Sequence, residues 1–441
     1  MGMNENEGLS IEEKRQLRRQ RRVKNLVCAY IGLMAALVIL GVAIFFGIRA
    51  LNGILGEKES TEPAAAEQEE IPVEEWSVEE EIQTAAPPSG AELLDEIIEA
   101  RISEMTLEEK VAGLFIVTPE SITGVDVAVQ AGEGTKEALE KYPIGGIVYF
   151  QKNIKSQEQV KEMLANTASY SRYPLFLAVD EEGGEVSRTA EALGLENAGN
   201  MAEIGATGDA NQAYEALRRV GTYLNDYRFN LNFAPIADVL TNSDNKSIAE
   251  RTFGSDAMLV ADMAAASVNG LQETGITACI KHFPGIGSAG EETHNGLVLV
   301  DRSLEELQQE ELIPFGKAIE AGVSMIMVGH ISLPQIVGDN TPASMSPAII
   351  GDLLRAQLGF NGVVITDAMD MEAITQYYGA DEAAVMALKA GADMILMPED
   401  FELALEGVII AVQDGTISEE RIDDSLTRVY RIKFADSVER Q

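Results

Sequence analysis

The sequence predicts an α/β protein, a (β/α)8 TIM-like barrel, from residue 91 to the C-terminal end. Eight short apolar runs alternate with longer stretches whose apolar residues recur at helical spacing, and glycine stands at many of the joins. Alternation of this kind is typical of parallel strands that are connected by helices. The eight predicted strands are residues 111–118, 145–150, 175–180, 231–234, 278–282, 325–328, 363–366 and 394–397.

The competing α/β arrangement is a doubly wound open sheet, and the sequence favours a closed barrel over it. The dinucleotide-binding form of that sheet carries a G-x-G-x-x-G motif after its first strand, and no such motif follows residues 111–118. Residues 285–287 are only a fragment of the motif, and they follow a later strand.

The helices between the strands are predicted from the spacing of apolar residues. The clearest helical periodicities lie at residues 157–169, 210–226, 257–274, 304–321 and 383–390.

The first 90 residues predict a membrane anchor and a spacer. Residues 1–25 form a basic tail, and residues 26–48 carry no charge and would span roughly 35 Å as a helix, enough to cross a hydrocarbon core of about 30 Å. A cleaved signal peptide has a shorter apolar core. The basic excess before the span predicts a cytoplasmic N-terminus. Residues 49–90, rich in Glu, Ala and Pro, predict a disordered acidic linker that carries an extracytoplasmic domain, residues 91–441, at the cell membrane.

Charge and cysteine content narrow the possible partners. The formal net charge is −39, and almost all of the negative charge follows residue 48. Such a surface argues against nucleic acid and anionic lipid as partners of the domain. The two cysteines, Cys28 in the predicted span and Cys279 in a predicted core strand, give no disulfide framework.

Polar residues stand at or just after the C-terminal ends of five predicted strands. An isolated Asp in such a place is most often a helix cap or a turn former, and an isolated His is most often a core residue. In a barrel, however, these strand ends open on one face, where barrel enzymes carry their active sites. The presence of such residues at five strand ends therefore favours an active site on that face of the barrel. The residues are Asp180, Asp238, Lys281 with His282, His330 and Asp367.

The residue types at these positions suit glycoside hydrolysis. The chain has no Cys/His metal spacing, no H-E-x-x-H and no G-x-S-x-G, so we expect no metal and no organic cofactor. A carboxylate on a rigid strand end together with a separate proton donor is what a glycosidase requires. Glu292 lies two residues before His294, where its charge would favour the protonated imidazole. The alternative for this segment is a solvated acidic loop with an isolated histidine.

Six longer blocks stand in a fixed order along the chain. They are DEEGGEVSR at 180–188, NFAPIADV at 232–239, ERTFG at 250–254, KHFPGIG at 281–287, ETH at 292–294 and VITDAM at 364–369. Together they resemble glycoside hydrolase family 3, in particular its bacterial β-N-acetylglucosaminidases that are built as a single barrel. The resemblance extends over about residues 100–435, and the blocks follow one another in the order of the family.

The resemblance implies a role for each matching residue. Asp367 matches the nucleophile that forms the glycosyl-enzyme, His294 matches the general acid/base, and Glu292 stands in the place of its partner aspartate. Arg188 and His330 match positions at the rim of the sugar pocket or in support of it. The positions that bind the hydroxyls of the sugar are matched by Asp180, Arg251, Lys281 and His282.

Two positions depart from the family pattern. The second histidine of the K-H-F-P-G-H-G block is Ile286 here, and the aspartate of the acid/base pair is Glu292, one methylene longer. Either change could lower activity or shift the substrate.

The expected function is that of a retaining β-N-acetylhexosaminidase that releases terminal β-linked N-acetylglucosamine from glycans or cell-wall fragments such as muropeptides. The alternatives are a relative that acts on another β-glycoside, a phosphorolytic relative, and a degenerate barrel that binds wall glycans without cleaving them.

Overall fold

Eight parallel strands close into a barrel, as the alternating pattern predicts. The computed structural model describes residues 90–290, 296 and 298–435. The predicted tail, anchor and almost all of the linker lie outside these residues, as do Glu292 and His294. None of the helices within the described ranges is long and apolar enough to cross a membrane.

The barrel strands follow one another around the barrel in chain order, and a short antiparallel hairpin, β4–β5, is inserted after the third of them. The last strand pairs with the first, which closes the barrel. The strands are β1 Phe115–Val117, β2 Gly146–Tyr149, β3 Phe176–Val179, β4 Glu181–Gly183, β5 Val186–Ser187, β6 Leu231–Asn232, β7 Thr277–Phe283, β8 Met325–Val328, β9 Val363–Ala368 and β10 Met394–Leu396.

Helices fill the connections, and several begin after a residue whose side chain accepts a backbone N–H group of the first turn, such as Ser156, Asp256 and Ser418. A π-helix spans Ala348–Gln357, and 3-10 turns span Gln151–Asn153 and Ala343–Met345. The α-helices are α1 Gly90–Ser103, α2 Leu107–Ala112, α3 Pro119–Thr123, α4 Glu133–Lys141, α5 Gln157–Tyr170, α6 Arg188–Leu193, α7 Met201–Gly205, α8 Ala210–Asp226, α9 Ala257–Glu273, α10 Leu304–Gln309, α11 Leu312–Glu320, α12 Pro334–Val337, α13 Glu372–Thr375, α14 Ala380–Ala390, α15 Phe401–Gln413 and α16 Glu419–Lys433.

All eight predicted strands are present, but two boundaries were wrong. The first strand begins at Phe115 rather than at residue 111, because Thr106 and Glu109 form a reciprocal cap that starts α2 and draws Val111 into that helix. The predicted helix 304–321 is divided into α10 and α11 at Glu310. Pro314 has no N–H group to donate to the carbonyl of residue 310, so a continuous helix would lose that hydrogen bond.

Alternate residues of each strand separate the two parts of the core. One cluster takes one face of the strands, with Val363 and Ile365 of β9 beside Met325 and Met327 of β8. The intervening residues, such as Val364, join a larger cluster that includes the apolar faces of the surrounding helices. The period of two along a strand therefore fills the inside of the barrel with one set and packs the helices on the other.

A buried carboxylate, Asp393, ties helices to the amino-terminal end of the barrel. It is fully buried just before β10 and pairs with Arg355 at 2.5 Å, Arg428 at 3.1 Å and Arg421 at 3.7 Å. Its Oδ2 also accepts the backbone N–H of Val364 in β9 at 2.9 Å. One carboxylate thus compensates three guanidinium groups from the π-helix and α16.

We expect Asp393→Ala to lower the free energy of unfolding by about 3–5 kcal/mol, because it leaves three cations without their shared anion. Urea unfolding followed by circular dichroism would measure the loss. The control is Asp262→Ala, which removes an exposed pair with Lys317 at 3.8 Å and should cost at most about 1 kcal/mol. Equal losses in the two variants would contradict this account of Asp393.

Candidate active site

Four charged residues converge at the carboxyl-terminal ends of the strands. Lys281, near the end of β7, places its Nζ 2.6 Å from Asp180 Oδ1 and 2.6 Å from Glu182 Oε1. Arg251 binds Glu182 through two parallel hydrogen bonds, Nε to Oε2 at 2.9 Å and Nη2 to Oε1 at 2.8 Å. The structure thus brings together the predicted Asp180, Arg251 and Lys281 through Glu182, a residue absent from the predicted set.

The turn that carries Glu182 requires glycine. Gly183 and Gly184 have φ values of 107° and 56°, which an L side chain rarely adopts. A Cβ atom on Gly184 would also lie 2.3 Å from Asn200 Oδ1. The β4–β5 hairpin therefore folds back tightly and holds Glu182 beside Lys281.

The charges in this cluster stabilise one another. Burial alone would raise the pKa of Glu182, but Lys281 and Arg251 outweigh it and hold that pKa well below its usual range. Burial alone would lower the pKa of Lys281, but Asp180 and Glu182 keep it raised. Glu182, Lys281 and Arg251 therefore stay ionised at neutral pH, and the cluster presents both hydrogen-bond donors and acceptors.

A second pair fixes His282. Asp238 is fully buried, and its Oδ2 lies 2.7 Å from His282 Nδ1. Asp238 Oδ1 also accepts the backbone N–H of Ile286 at 2.8 Å. Because Nδ1 faces a carboxylate acceptor, it carries a proton, and Nε2 is the ring nitrogen that can contact a ligand.

Asp367 lies near the end of β9 and remains partly exposed, with the backbone N–H of Ala368 donating to its Oδ1 at 2.8 Å. Burial would raise its pKa, but electrostatic interactions with His282, His330 and Lys281, together with the hydrogen bond from the Ala368 N–H, hold it below the usual value. The carboxylate is therefore ionised and faces basic side chains from two neighbouring strand ends.

His330 and Arg188 occupy different surroundings. His330 is buried, with Nδ1 2.8 Å from Ser344 Oγ and Nε2 3.0 Å from the carbonyl oxygen of Ala368. It thus binds the backbone next to Asp367. Arg188 begins α6, and its buried Nε makes no hydrogen bond within the described part of the chain. The predicted role of each residue stays a prediction.

The predicted acid/base pair, Glu292 and His294, lies outside the described residues. The described chain on either side of it is fixed at the same face of the barrel. Before it, the carbonyl oxygen of Gly287 accepts the N–H of Asn242 at 3.1 Å. After it, Leu299 pairs with Ser332, two residues beyond His330.

The sequence held a signal for Glu182, the residue that the prediction missed, because it is the third residue of the DEEGG block. Asp238 was predicted to lie at this face, but without a role. Both roles would be found by asking which partner a buried Lys281 or His282 requires. Across the described ranges, no group of three or more His, Cys, Asp or Glu side chains is arranged to hold a metal ion.

The contribution of Glu182 to stability should depend on pH. Its folded-state pKa is depressed, so the contribution is present above the unfolded value of about 4.3 and is lost as the pH falls through the folded value. We expect Glu182→Gln to lower the unfolding free energy by about 3–5 kcal/mol at pH 7, and the difference from wild type to shrink in acid. Urea unfolding at several pH values measures it.

Glu420→Gln, a change of the same kind at an exposed position of α16, should stay within about 0.5 kcal/mol of wild type at every pH. A constant deficit of Glu182→Gln from neutral to acid pH would contradict the proposed linkage.

Known proteins share this sequence and fold. The sequence model of the glycosyl hydrolase family 3 N-terminal domain matches residues 106–432. β-Hexosaminidase A of Pseudoalteromonas piscicida is 33% identical over 328 residues, which cover 67% of this chain and 54% of that protein. The β-hexosaminidase of Stenotrophomonas maltophilia strain K279a is 33% identical over 295 residues, which cover 65% of this chain and 85% of that protein. The chain thus spans about half the length of the first relative and most of the second.

Two solved structures agree with this assignment. A glycoside hydrolase family 3 β-N-acetylglucosaminidase from Paenibacillus sp. str. FPU-7 is 38% identical with a TM-score of 0.70, covering 76% of this chain and 63% of that one. A glycosyl hydrolase of the same family from Mycobacterium smegmatis is 29% identical with a TM-score of 0.67, covering 75% and 98%. The predicted family is confirmed: this chain belongs to glycosyl hydrolase family 3.

Proposed function

We propose that this chain is a retaining β-N-acetylglucosaminidase that removes terminal β-linked N-acetylglucosamine from glycans. The observation that carries the proposal is the carboxylate of Asp367, which is ionised, fixed near the end of β9 and surrounded by basic groups. A retaining glycosidase uses such a carboxylate as its nucleophile. The relatives named β-hexosaminidase and β-N-acetylglucosaminidase support the choice of sugar.

In the first step, a carboxylate oxygen of Asp367 attacks the anomeric carbon. The bond from that carbon to the leaving oxygen breaks, and His294 gives its proton to the leaving oxygen. Glu292 pairs with the imidazole and orients it. The step produces a glycosyl ester on Asp367 and a free aglycone. A nucleophile on a rigid strand end favours this attack because little motion is needed to reach the reacting carbon.

In the second step, a water molecule gives a proton to His294 and attacks the same carbon from the side that the aglycone left. The ester bond to Asp367 breaks, and the carboxylate is restored. Two successive inversions return the product with the configuration of the substrate.

The charged cluster would hold the sugar during both steps. Asp180 can accept hydrogen bonds from sugar hydroxyls, while Lys281 and Arg251 can donate to their oxygens, and such charge-assisted bonds are strong. His282 can use its Nε2 in the same way. His330 acts through the carbonyl of Ala368 and positions the nucleophile.

We expect Asp367→Asn to lower kcat/KM on an aryl β-N-acetylglucosaminide by at least about a thousandfold, because an amide is a poor nucleophile. The fold should be kept, with a melting temperature within about 4 °C of wild type. A fluorosugar inactivator should label the wild-type peptide that contains Thr366-Asp367-Ala368, as read by mass spectrometry.

The control is Asp370→Asn, an exposed carboxylate three residues further on, which should retain activity and labelling. Labelling of a different carboxylate, or full activity of Asp367→Asn, would overturn the assignment of the nucleophile.

The proposed acid/base pair predicts a dependence on the leaving group. His294→Ala should lower kcat/KM on an unactivated disaccharide by about 10²–10⁴-fold and much less on a nitrophenyl glycoside, whose leaving group needs little protonation. Glu292→Gln should show the same pattern with a smaller loss of about tenfold, because the imidazole keeps its place but loses its partner. Glu292→Asp, which restores the usual family residue, should be tolerated.

Glu291→Gln is the matched control, since it changes a neighbouring carboxylate in the same segment. If Glu292→Gln matches wild type on the disaccharide while His294→Ala is inactive, Glu292 is not the partner of His294. If Glu291→Gln instead shows the loss, Glu291 takes that place.

A further inference from the structure

A cleft of about 510 Å³ opens on the face of the barrel that carries Asp367. Neither Asp367 nor any residue of the charged cluster around Lys281 is among the described residues that line it. These described lining residues are two aromatic side chains, a leucine and three short polar side chains, without a basic residue. The lining residues are Leu299, Asp339, Asn340, Thr341, Tyr377 and Tyr378.

One side of the cleft is built on the chain that follows β8. The carbonyl oxygen of Asn340 accepts the hydroxyl of Ser332 at 2.7 Å, and Ser332 pairs with both Leu299 and Pro342. Ser332 is two residues beyond His330, whose ring binds the backbone next to Asp367. This side therefore rises directly from the strand end beside the nucleophile.

The other side is built on the chain that follows β9. Tyr377 and Tyr378 come directly after α13, and their backbone N–H groups both donate to the carbonyl of Ile374. The cleft thus lies above the gap between β8 and β9. In sequence, Leu299 is only five residues from His294.

The side chains of the cleft suit a sugar ring. Tyr377 is 52% exposed and Leu299 is 57% exposed, and they are two of only six large apolar side chains exposed across the described ranges. An exposed aromatic ring can pack against the C–H face of a sugar. Asp339, Asn340 and Thr341 supply donors and acceptors for its hydroxyls.

The charge of the cleft is negative. The backbone N–H and the hydroxyl of Thr341 hold the pKa of Asp339 below its usual range, so this exposed carboxylate is ionised at neutral pH. Burial, and then Glu382 and Asp339, raise the pKa of Tyr378, which keeps its hydroxyl protonated. A carboxylate on the bound group would meet this charge, and the lining residues that the structure describes include no cation to compensate it.

We propose that this cleft binds the leaving group of the substrate, and that it selects an uncharged sugar unit over one that bears a carboxylate. The inference rests on the proposed function, because a leaving group exists only if the chain cleaves a glycoside. It adds the chemical class of the aglycone and the residues that recognise it.

The experiment compares two disaccharides with the same terminal sugar, using the full-length protein. One is N,N′-diacetylchitobiose, whose aglycone is uncharged, and the other is N-acetylglucosaminyl-β-1,4-N-acetylmuramic acid, whose aglycone carries a carboxylate. Wild type should have the higher kcat/KM on diacetylchitobiose. Tyr377→Ala should lower that value by about five- to tenfold, as expected for losing about 50 Å² of apolar contact, and Tyr377→Phe should retain it.

Removing the negative charge of Asp339 should change the preference between the two substrates. Asp339→Asn should raise the ratio of kcat/KM on the muramyl disaccharide to kcat/KM on diacetylchitobiose by about two- to threefold at low salt. The matched control is Asp414→Asn. Asp414 is also exposed and also accepts the backbone N–H two residues on, at 2.9 Å, but it follows α15. That variant should leave both substrates unchanged.

Activity on an aryl β-N-acetylglucosaminide distinguishes a failure of the proposed function from a failure of the inference about the cleft. If wild type cleaves it while Tyr377→Ala matches wild type on diacetylchitobiose, the cleft does not bind the leaving group and the inference is overturned. A wild-type preference for the muramyl disaccharide overturns the selection of an uncharged unit. If wild type does not cleave the aryl glycoside at all, the proposed function fails and the inference falls with it.

Discussion

The ion pairs around buried Lys281 are the interaction on which the carboxyl-terminal face of the barrel depends. Lys281 comes from β7, Asp180 follows β3, and Glu182 comes from the inserted hairpin. Removing such charges from water costs several kcal/mol per ion, so each is stable there only with its partners. The network therefore fixes segments that lie about a hundred residues apart in one arrangement, and it gives a sugar a rigid set of charged groups.

A second cluster of buried charges, around Asp393, lies at the opposite end of the barrel. There too a buried charge requires partners, but both oxygens of the carboxylate are taken up by them. Asp393 compensates three arginines before β10, and its two carboxylate oxygens are occupied by side chains and a backbone N–H. All of these partners of Asp393 come from the protein itself. At the carboxyl-terminal end, Asp180 and Asp367 keep partial exposure, so their oxygens can also meet a ligand. Exposure, and not the presence of ion pairs, distinguishes the candidate site from the structural cluster.

The region around Asp367 and the neighbouring cleft differ in their electrostatic properties, and the proposed reaction uses both. Basic groups hold the pKa of Asp367 low, which keeps the nucleophile ionised beside a sugar that develops positive charge. The neighbouring cleft, in contrast, combines exposed aromatic surface with the ionised Asp339. One region is thus suited to polar binding and chemistry, and the other to discrimination between neutral and acidic leaving groups. The first region is built on the ends of β7 and β9, and the second is built mainly on the chain that follows β8 and β9.

The sequence alone determined the elements of this protein and the positions of most of the residues that the site uses. Short apolar runs, and the helical spacing of apolar residues between them, are local properties, so all eight barrel strands could be predicted. Because parallel strands open on one face, Asp180, Lys281, His282, His330 and Asp367 could be expected to lie together. The membrane anchor and the acid/base pair of Glu292 and His294 stay predictions.

Only the tertiary structure decided which side chains are paired. That Glu182 joins Lys281 to Arg251, and that Asp238 fixes Nδ1 of His282, depends on strand register and on the tight hairpin at Gly183. The cleft combines Leu299 with Tyr377, which are far apart in the chain and share no local pattern. Periodicity reports which way a side chain faces along its own element, whereas a contact between elements depends on how the barrel closes, and that is a property of the whole chain.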